Sequence, residues 1–207
     1  RTAESVGVED DNLGLEIRLS TEADMKTYPP FNKKSNSSET MTIGIAPAAH
    51  HKTKRLPTDT FIEIIKLLSK KYNCQFVFFG GPGDEPTVSK ITEGISAKYQ
   101  DFSGTRSILK TTEEIDKCDL LITNDTGVLH ISAARAVPTV AIFGSTVPEF
   151  GFAPRRTPFR IIQKDLKCRP CTHIGRAKCP KKHFDCMNEI TAEEVVRAAE
   201  ELITKNC

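Results

Sequence analysis

The chain has 207 residues, enough for one generous domain or two small ones that bury about 70% of the unfolded surface. With 38% hydrophobic and 27% charged residues it is neither collagen-like nor disordered, and no apolar run approaches the roughly 18 residues of a spanning helix, so any membrane contact is expected to be peripheral. Lys and Arg total 29 against 27 Asp and Glu, a net +2 too balanced for a face that binds a phosphate backbone, so no nucleic acid partner is expected.

Arg1–Gly7 has neither an initiating Met nor the basic, apolar and cleavage pattern of a secretory signal, and reads as the start of a chain cut from something longer. Residues 1–41 have little apolar periodicity. Their second half, from Tyr28-Pro-Pro to Ser-Ser-Glu-Thr40, is linker chemistry, with Gly14–Leu19 a short extended piece.

From Thr42 the pattern alternates. Thr42–Ala46 is a short apolar strand followed by a Pro and small-residue loop. After Lys54-Arg55-Leu56-Pro57, Thr58 is placed to cap a helix whose Phe61, Ile64, Ile65 and Leu68 form one stripe. Gln75–Phe79 reads as a strand buried on both faces, broken by Gly80-Gly81-Pro82-Gly83-Asp84, and Glu85-Pro86 opens a helix carrying Val88, Ile91 and Ile95. Asp101–Ser103 is a short strand, and Thr112–Lys117 a short helix with Glu113 and Glu114 in its favoured first turn. Leu120–Thr123 is another buried strand, followed by Asn124-Asp125-Thr126-Gly127 and a small-residue helix over Val128–Arg135. Strands at Thr139–Phe143 and Phe159–Ile162 follow. Thr191-Ala-Glu-Glu194 is a capping box for a last helix with Val195, Val196, Ala199 and Leu202 inward. Strands alternating with helices imply a parallel sheet covered on both faces, whose ligands sit beyond the C-terminal strand ends. The loops after Ala46, Phe79, Thr123 and Phe143 are therefore the ones that matter.

Asp125-Thr126-Gly127 passes directly from strand to helix, so the Thr126, Gly127 and Val128 amides point from a helix N-terminus that favours an anion, with the Thr126 hydroxyl as a further donor and His130 one turn on. Against this stands a plainer alternative, in which Asp125 only caps the helix and His130 packs in the core. Lys54-Arg55 can neutralise a phosphate or lie solvated at the surface. Gly80–Asp84 is a turn on which a nucleotide can lie, with Asp84 or Glu85 available to a ribose hydroxyl, although both the GxGxxG and P-loop spacings are missing. Together these loops point to a nucleotide or nucleotide-sugar site.

These same residues resemble a known family. Ile45-Ala46-Pro47 with Lys54-Arg55-Leu56-Pro57, Phe78-Phe79-Gly80-Gly81-Pro82-Gly83-Asp84, Asp119 to Ala134 through Asp125-Thr126-Gly127 and His130, Ala141-Ile142-Phe143-Gly144-Ser145-Thr146-Val147-Pro148, and the late cysteine segment are similar, in order from about Thr42 to Leu202, to glycosyltransferase family 9, the ADP-heptose:lipopolysaccharide heptosyltransferases. The resemblance implies a Rossmann-like doubly wound parallel sheet, the C-terminal half of a GT-B enzyme, over residues 42–207, with 1–41 as the tail of a missing N-terminal domain and its crossing. It implies a nucleotide-diphosphate sugar donor, ADP-heptose, transferred with inversion to the lipopolysaccharide inner core, and no cofactor. Lys54 would contact the donor phosphates; Asp125, Thr126, Gly127 and His130 would line the diphosphate and sugar. Gly81 with Asp84 or Glu85 would meet the ribose, and Arg106, in Thr105-Arg106-Ser107, the adenine. The catalytic base belongs to the missing half, which also reads the lipid-linked acceptor, so the chain has no catalytic residue of its own. A cytoplasmic protein visiting the inner face of the membrane is expected.

Seven cysteines include Cys168, Cys171, Cys179 and Cys186, with one CxxC and looser spacing after it. Four thiolates can hold zinc or an iron–sulfur cluster, but the second pair is no CxxC, so disulfides or free structural thiols in a reducing compartment are the preferred reading and no metal ligand is assigned. Two rival functions remain: a nucleotide-binding module without transfer activity, and a metal-binding interaction protein built on the cysteines.

Overall fold

The computed structural model describes residue 15, residues 17–19, 40–155 and 157–204. The linker expected before Thr40, and most of the expected 1–41 tail, lie outside them. Of the Gly14–Leu19 piece, Leu15 and Ile17–Leu19 are described and join no strand.

Six strands, β1 (Met41–Ala46), β2 (Cys74–Phe79), β3 (Tyr99–Phe102), β4 (Leu120–Asn124), β5 (Thr139–Ile142) and β6 (Phe159–Ile162), form one sheet in the order β3-β2-β1-β4-β5-β6. Every neighbouring pair is parallel. The helices are α1 (Thr58–Lys71), α2 (Glu85–Thr92), α3 (Ile108–Ile115), α4 (Gly127–Ala134), the short α5 (Asp185–Asn188) and α6 (Ala192–Thr204). This is the expected Rossmann-like doubly wound α/β fold.

Strand alternation decides which side chain meets which helix layer. Ile43, Ile45, Phe76, Phe78, Leu120, Ile122, Val140 and Ile142 share one face with Phe61, Ile64, Ile65 and Leu68 of α1, Val88 and Ile91 of α2, and Val195, Val196, Ala199 and Leu202 of α6. The residues between them, Val77, Phe79 and Leu121, pack with Ile115 at the end of α3, and Ala141 packs with Leu129 of α4 on the opposite face. The α1 stripe is wholly excluded from solvent. Each such side chain contributes about 1.5–3 kcal/mol relative to exposure, so these two layers set the register that aligns the strand ends.

Three local expectations are corrected. Pro57, not Thr58, is the cap residue of α1, and no side chain caps that helix; proline has no N–H to satisfy and its restricted φ suits the entry. The third helix starts at Ile108, where the Ser107 hydroxyl caps the Lys110 amide, so Glu113 and Glu114 fall in its last turn and Glu114 is answered by Lys117 at 2.7 Å. Helix α2 ends at Thr92, leaving Ile95 beyond it but still against the core. The capping box of α6 forms as expected, with Thr191 N donating to Glu194 Oε2 at 2.9 Å and Glu194 N to Thr191 Oγ1 at 3.3 Å. The early chain is tied on at Ile17, whose carbonyl accepts from Arg135 at 2.7 Å while that guanidinium also pairs with Asp116.

Candidate functional site

The strand order reverses direction between β1 and β4, and a crevice opens there beyond their C-terminal ends, which is where an open parallel sheet binds ligands. Loops 47–57 and 125–127 form its walls. Asn124, fully buried at the end of β4, stitches the two together: its Nδ2 donates to the Pro47 carbonyl at 2.7 Å and its Oδ1 accepts from the Leu56 amide at 3.2 Å. Asn124 was not singled out from sequence, because its role depends on a loop 77 residues away.

A 3-10 turn over Lys52–Lys54 turns the Lys54 side chain across the crevice, and its Nζ lies 2.6 Å from Asp125 Oδ2. The same carboxylate oxygen accepts from the Thr146 hydroxyl at 2.7 Å. Asp125 is 3% exposed, and on its other side the ammonium stands 5.5 Å from the centre of the Phe152 ring, within cation–π range. Asp125 is therefore no helix cap. That position belongs to Thr126, whose hydroxyl oxygen accepts from Val128 N at 3.2 Å and keeps its own proton to donate. The Thr126 and Gly127 amides meet no acceptor among the described residues. A Cβ built on Gly127 would have nothing within 4 Å, so the backbone there faces open space.

Lys54, Asp125, Thr126, Gly127 and His130 line one cavity of about 240 Å³ together with His50, His51 and Phe152. His130 is half-buried at its wall, its ring 6.4 Å from that of Phe152, and so is not a core histidine. Five of the nine expected site residues are thus brought together. His50, His51 and Phe152 were missed, although His50-His51 stands in a strand-end loop, a signal that sequence does carry. Behind the cavity, a Cβ on Gly144 would come 2.8 Å from the Thr53 carbonyl oxygen; only glycine lets the loop after β5 approach the loop after β1 this closely.

Gly81, Asp84 and Arg106 lie on the neighbouring loops after β2 and β3, and Glu85 opens α2, all outside this cavity. Asp84 Oδ2 accepts from Gly81 N at 2.9 Å and Glu85 Oε2 from Gly83 N at 2.6 Å, so both acids close their own turn. Arg106 is exposed.

Cys168, Cys171, Cys179 and Cys186 are free thiols, and among the described residues no three His, Cys, Asp or Glu side chains are grouped to hold a metal ion. Cys168 Sγ lies 3.9 Å from His183 Nε2. Burial pushes the Cys186 thiol up to about 11. The segment is anchored through Arg169, whose guanidinium donates to the Gly144, Thr146 and Lys164 carbonyls.

The family model for "Glycosyltransferase family 9 (heptosyltransferase)" matches residues 2–182. The lipooligosaccharide heptosyltransferase 2 of Campylobacter jejuni is 28% identical over 165 residues, 78% of this chain and 50% of its own length. Lipopolysaccharide heptosyltransferase 2 of Escherichia coli is 31% identical over 125 residues, 58% of this chain and 35% of its own. Among solved structures, the E. coli ADP-heptose lps heptosyltransferase II aligns at 26% identity and a TM-score of 0.66 over 81% of this chain and 48% of its own. A family 9 glycosyl transferase from Veillonella parvula shares the fold with a TM-score of 0.76 at 24% identity, covering 98% of this chain and 57% of its own. The chain spans about half the length of the curated relatives it matches.

Proposed function

The chain belongs to glycosyltransferase family 9, and from that premise we propose that residues 42–207 are the donor-binding half of a heptosyltransferase, residues 1–41 being the end of an acceptor-binding half and the crossing to it. The donor is a nucleotide-diphosphate sugar, ADP-heptose by the kinship. The acceptor is the lipopolysaccharide inner core, met at the cytoplasmic face of the membrane through the other half. Among the described residues no helix is long and apolar enough to cross a membrane.

One observation carries the reading: Lys54 from the loop after β1 and the unclaimed Thr126 and Gly127 amides at the start of α4 line a single cavity across the β1/β4 crevice. Inverting transfer moves negative charge onto the departing diphosphate while the anomeric carbon becomes positive. The positive end of α4, the Lys54 ammonium and a ring N–H of His130 oppose that growing charge. Asp125 acts by holding Lys54 in place, since its buried carboxylate is already bonded to Lys54 and Thr146. Asp84 or Glu85 reaches the ribose only by exchanging its bond within the loop, and Arg106 meets the adenine from the β3 side. The base that deprotonates the acceptor hydroxyl belongs to the other half.

Calorimetry with ADP tests the donor site. Gly127→Ala puts a methyl group into the open space over the helix end, and ADP affinity is expected to fall by about tenfold or more, the equivalent of one charge-assisted hydrogen bond. An unchanged affinity, or no ADP binding by the parent chain, defeats the reading. Incubated with ADP-heptose and a lipid A–Kdo acceptor, the 207-residue chain is expected to transfer little or no sugar; ready transfer would show that the base lies within it.

A further inference from the structure

The donor site leaves a second and larger concavity unused. About 650 Å³ in volume, it is lined by His50, His51, Lys52, Arg55, Arg176 and Lys178, with Gly175 and Ala177 between them. It shares His50 and His51 with the donor cavity. None of its lining residues is acidic. Four basic side chains and two imidazoles thus face one space with no countercharge in its wall.

This arrangement is built by the fold. Thr53 is 2% exposed; its hydroxyl donates to the Arg176 carbonyl at 3.0 Å and accepts from the Arg176 amide at 2.8 Å, and its own amide reaches the same carbonyl at 3.1 Å. The Ser145 hydroxyl completes the knot, 2.9 Å from Thr53 Oγ1. Two segments 123 residues apart are thereby locked as facing walls. Gly175, at φ +121°, lies so close to His51 that a Cβ there would stand 2.5 Å from the imidazole. Burial, then the charges of His50 and Lys54, push the His51 pKa down, as a neighbourhood already rich in positive charge requires.

The position narrows what such a cavity takes. Its second wall bonds to Thr53 and, through Cys171 N to the Ser145 carbonyl at 3.2 Å, to the loop after β5. That is the side of the crevice away from the loops after β2 and β3, where the nucleoside is proposed to lie. In an inverting transfer the acceptor hydroxyl attacks the anomeric carbon from the face opposite the departing diphosphate, but the rest of the acceptor saccharide extends past the donor. A cavity that shares His50 and His51 with the donor site is near enough to hold another part of it, and a volume of this size is ordinary for a small polar ligand.

We propose that this cavity receives an anionic group of the saccharide acceptor, a phosphate or carboxylate carried on a sugar, so that the donor half also orients the acceptor. The proposal rests on the glycosyltransferase reading, because that reading supplies the neighbouring donor. Arg55 and Arg176 both line the cavity, and their Nε atoms donate to the Ala49 carbonyl at 2.6 Å and the Cys171 carbonyl at 3.2 Å, which fixes the two guanidinium groups in advance of an anion.

The test is an NMR titration of the isotope-labelled 207-residue chain, following the Gly175 and Arg176 amides and the His51 ring, with glucose 6-phosphate, glucuronate, glucose and ADP as separate probes. Glucose 6-phosphate or glucuronate is expected to shift these signals saturably while glucose does not; the tighter of the two identifies phosphate or carboxylate as the preferred group. An Arg176→Ala/Lys178→Ala variant, altered only at exposed positions, is expected to weaken that binding by about tenfold or more. If neither anion binds better than glucose, or the double variant binds both unchanged, the proposal falls. It also falls if ADP competes them away from Gly175, because the cavity then belongs to the donor. Sugar-anion binding in a chain that fails to bind ADP overturns the donor reading instead, and ADP binding without sugar-anion binding overturns only this inference.

Discussion

Two strand-end loops of similar make-up, Gly80–Glu85 after β2 and Asp125–Gly127 after β4, put their aspartates to opposite uses. Asp84 is half-buried and accepts from an amide three residues away, so its carboxylate shapes the turn it belongs to. Asp125 is almost fully buried and reaches out of its loop, to Lys54 across the crevice and to Thr146 beyond β5. The difference comes from the sheet order: β4 has neighbours on both sides whose loops close over it, whereas β2 borders the exposed edge strand β3. The same residue type is a local fastener at the rim and an organiser of charge at the centre.

The comparison is broken most directly at Asp125. Asp125→Ala leaves the Lys54 ammonium, whose side chain is 11% exposed, beside no carboxylate, and loss of one member of a buried pair costs about 3–5 kcal/mol. Urea denaturation is the measure. A loss below about 1 kcal/mol, the value of a surface pair, would show that the central carboxylate is no more than a rim one. The Asp125→Ala/Lys54→Met double variant is expected to recover much of the loss, because it removes the stranded charge as well.

That contrast was only half legible in the sequence. The stripe Phe61, Ile64, Ile65, Leu68 and the apolar runs at 75–79 and 120–123 carry their periods openly, and they give the layers, the parallel sheet and the strand ends at which Lys54, Asp125, Thr126, Gly127 and His130 meet. The pattern shows helix α3 only from Thr112, because its first turn contributes Ile108 and Leu109, both half-exposed or more, which belong to no buried stripe. What Asp125 does could not be read, since a cap and a buried partner look alike in one dimension; its partner Thr146 is 21 residues on. Arg176 and Lys178 gave no signal at all, because they become neighbours of His51 only through Thr53.

Between the two extremes stands Glu194, which receives Lys164 from just after β6 at 2.6 Å while 31% of its side chain is exposed. Burial pushes its carboxyl up, but the hydrogen bonds from Lys164 and from the Thr191 amide, with the charges of Lys164 and Arg197, outweigh that and hold it below the usual 4.5. A carboxyl depressed by folding contributes stability that is present above 4.5 and is lost as pH falls through its lower folded value. Glu194→Gln is therefore expected to cost about 1 kcal/mol at neutral pH, in the range of a weakened cap, and progressively less in acid. Melting curves taken from pH 7 down to about pH 3 measure it. A cost that stays level throughout would mean that the Lys164 charge contributes nothing.

The smallest effect is expected at the rim. Asp84→Ala removes one hydrogen bond, to the Gly81 amide, from a turn open to water, and water replaces the lost acceptor. Exchange of that kind costs about 0.5–1 kcal/mol. ADP affinity should fall by less than the roughly tenfold expected of Gly127→Ala, because the carboxylate must release Gly81 before it can accept from a ribose hydroxyl, and the two bonds nearly cancel. Calorimetry on the two single variants decides the order. If Asp84→Ala weakens ADP more than Gly127→Ala while leaving stability untouched, the rim loop is the nucleotide's main hold, and its aspartate is kept for the ligand rather than for the turn.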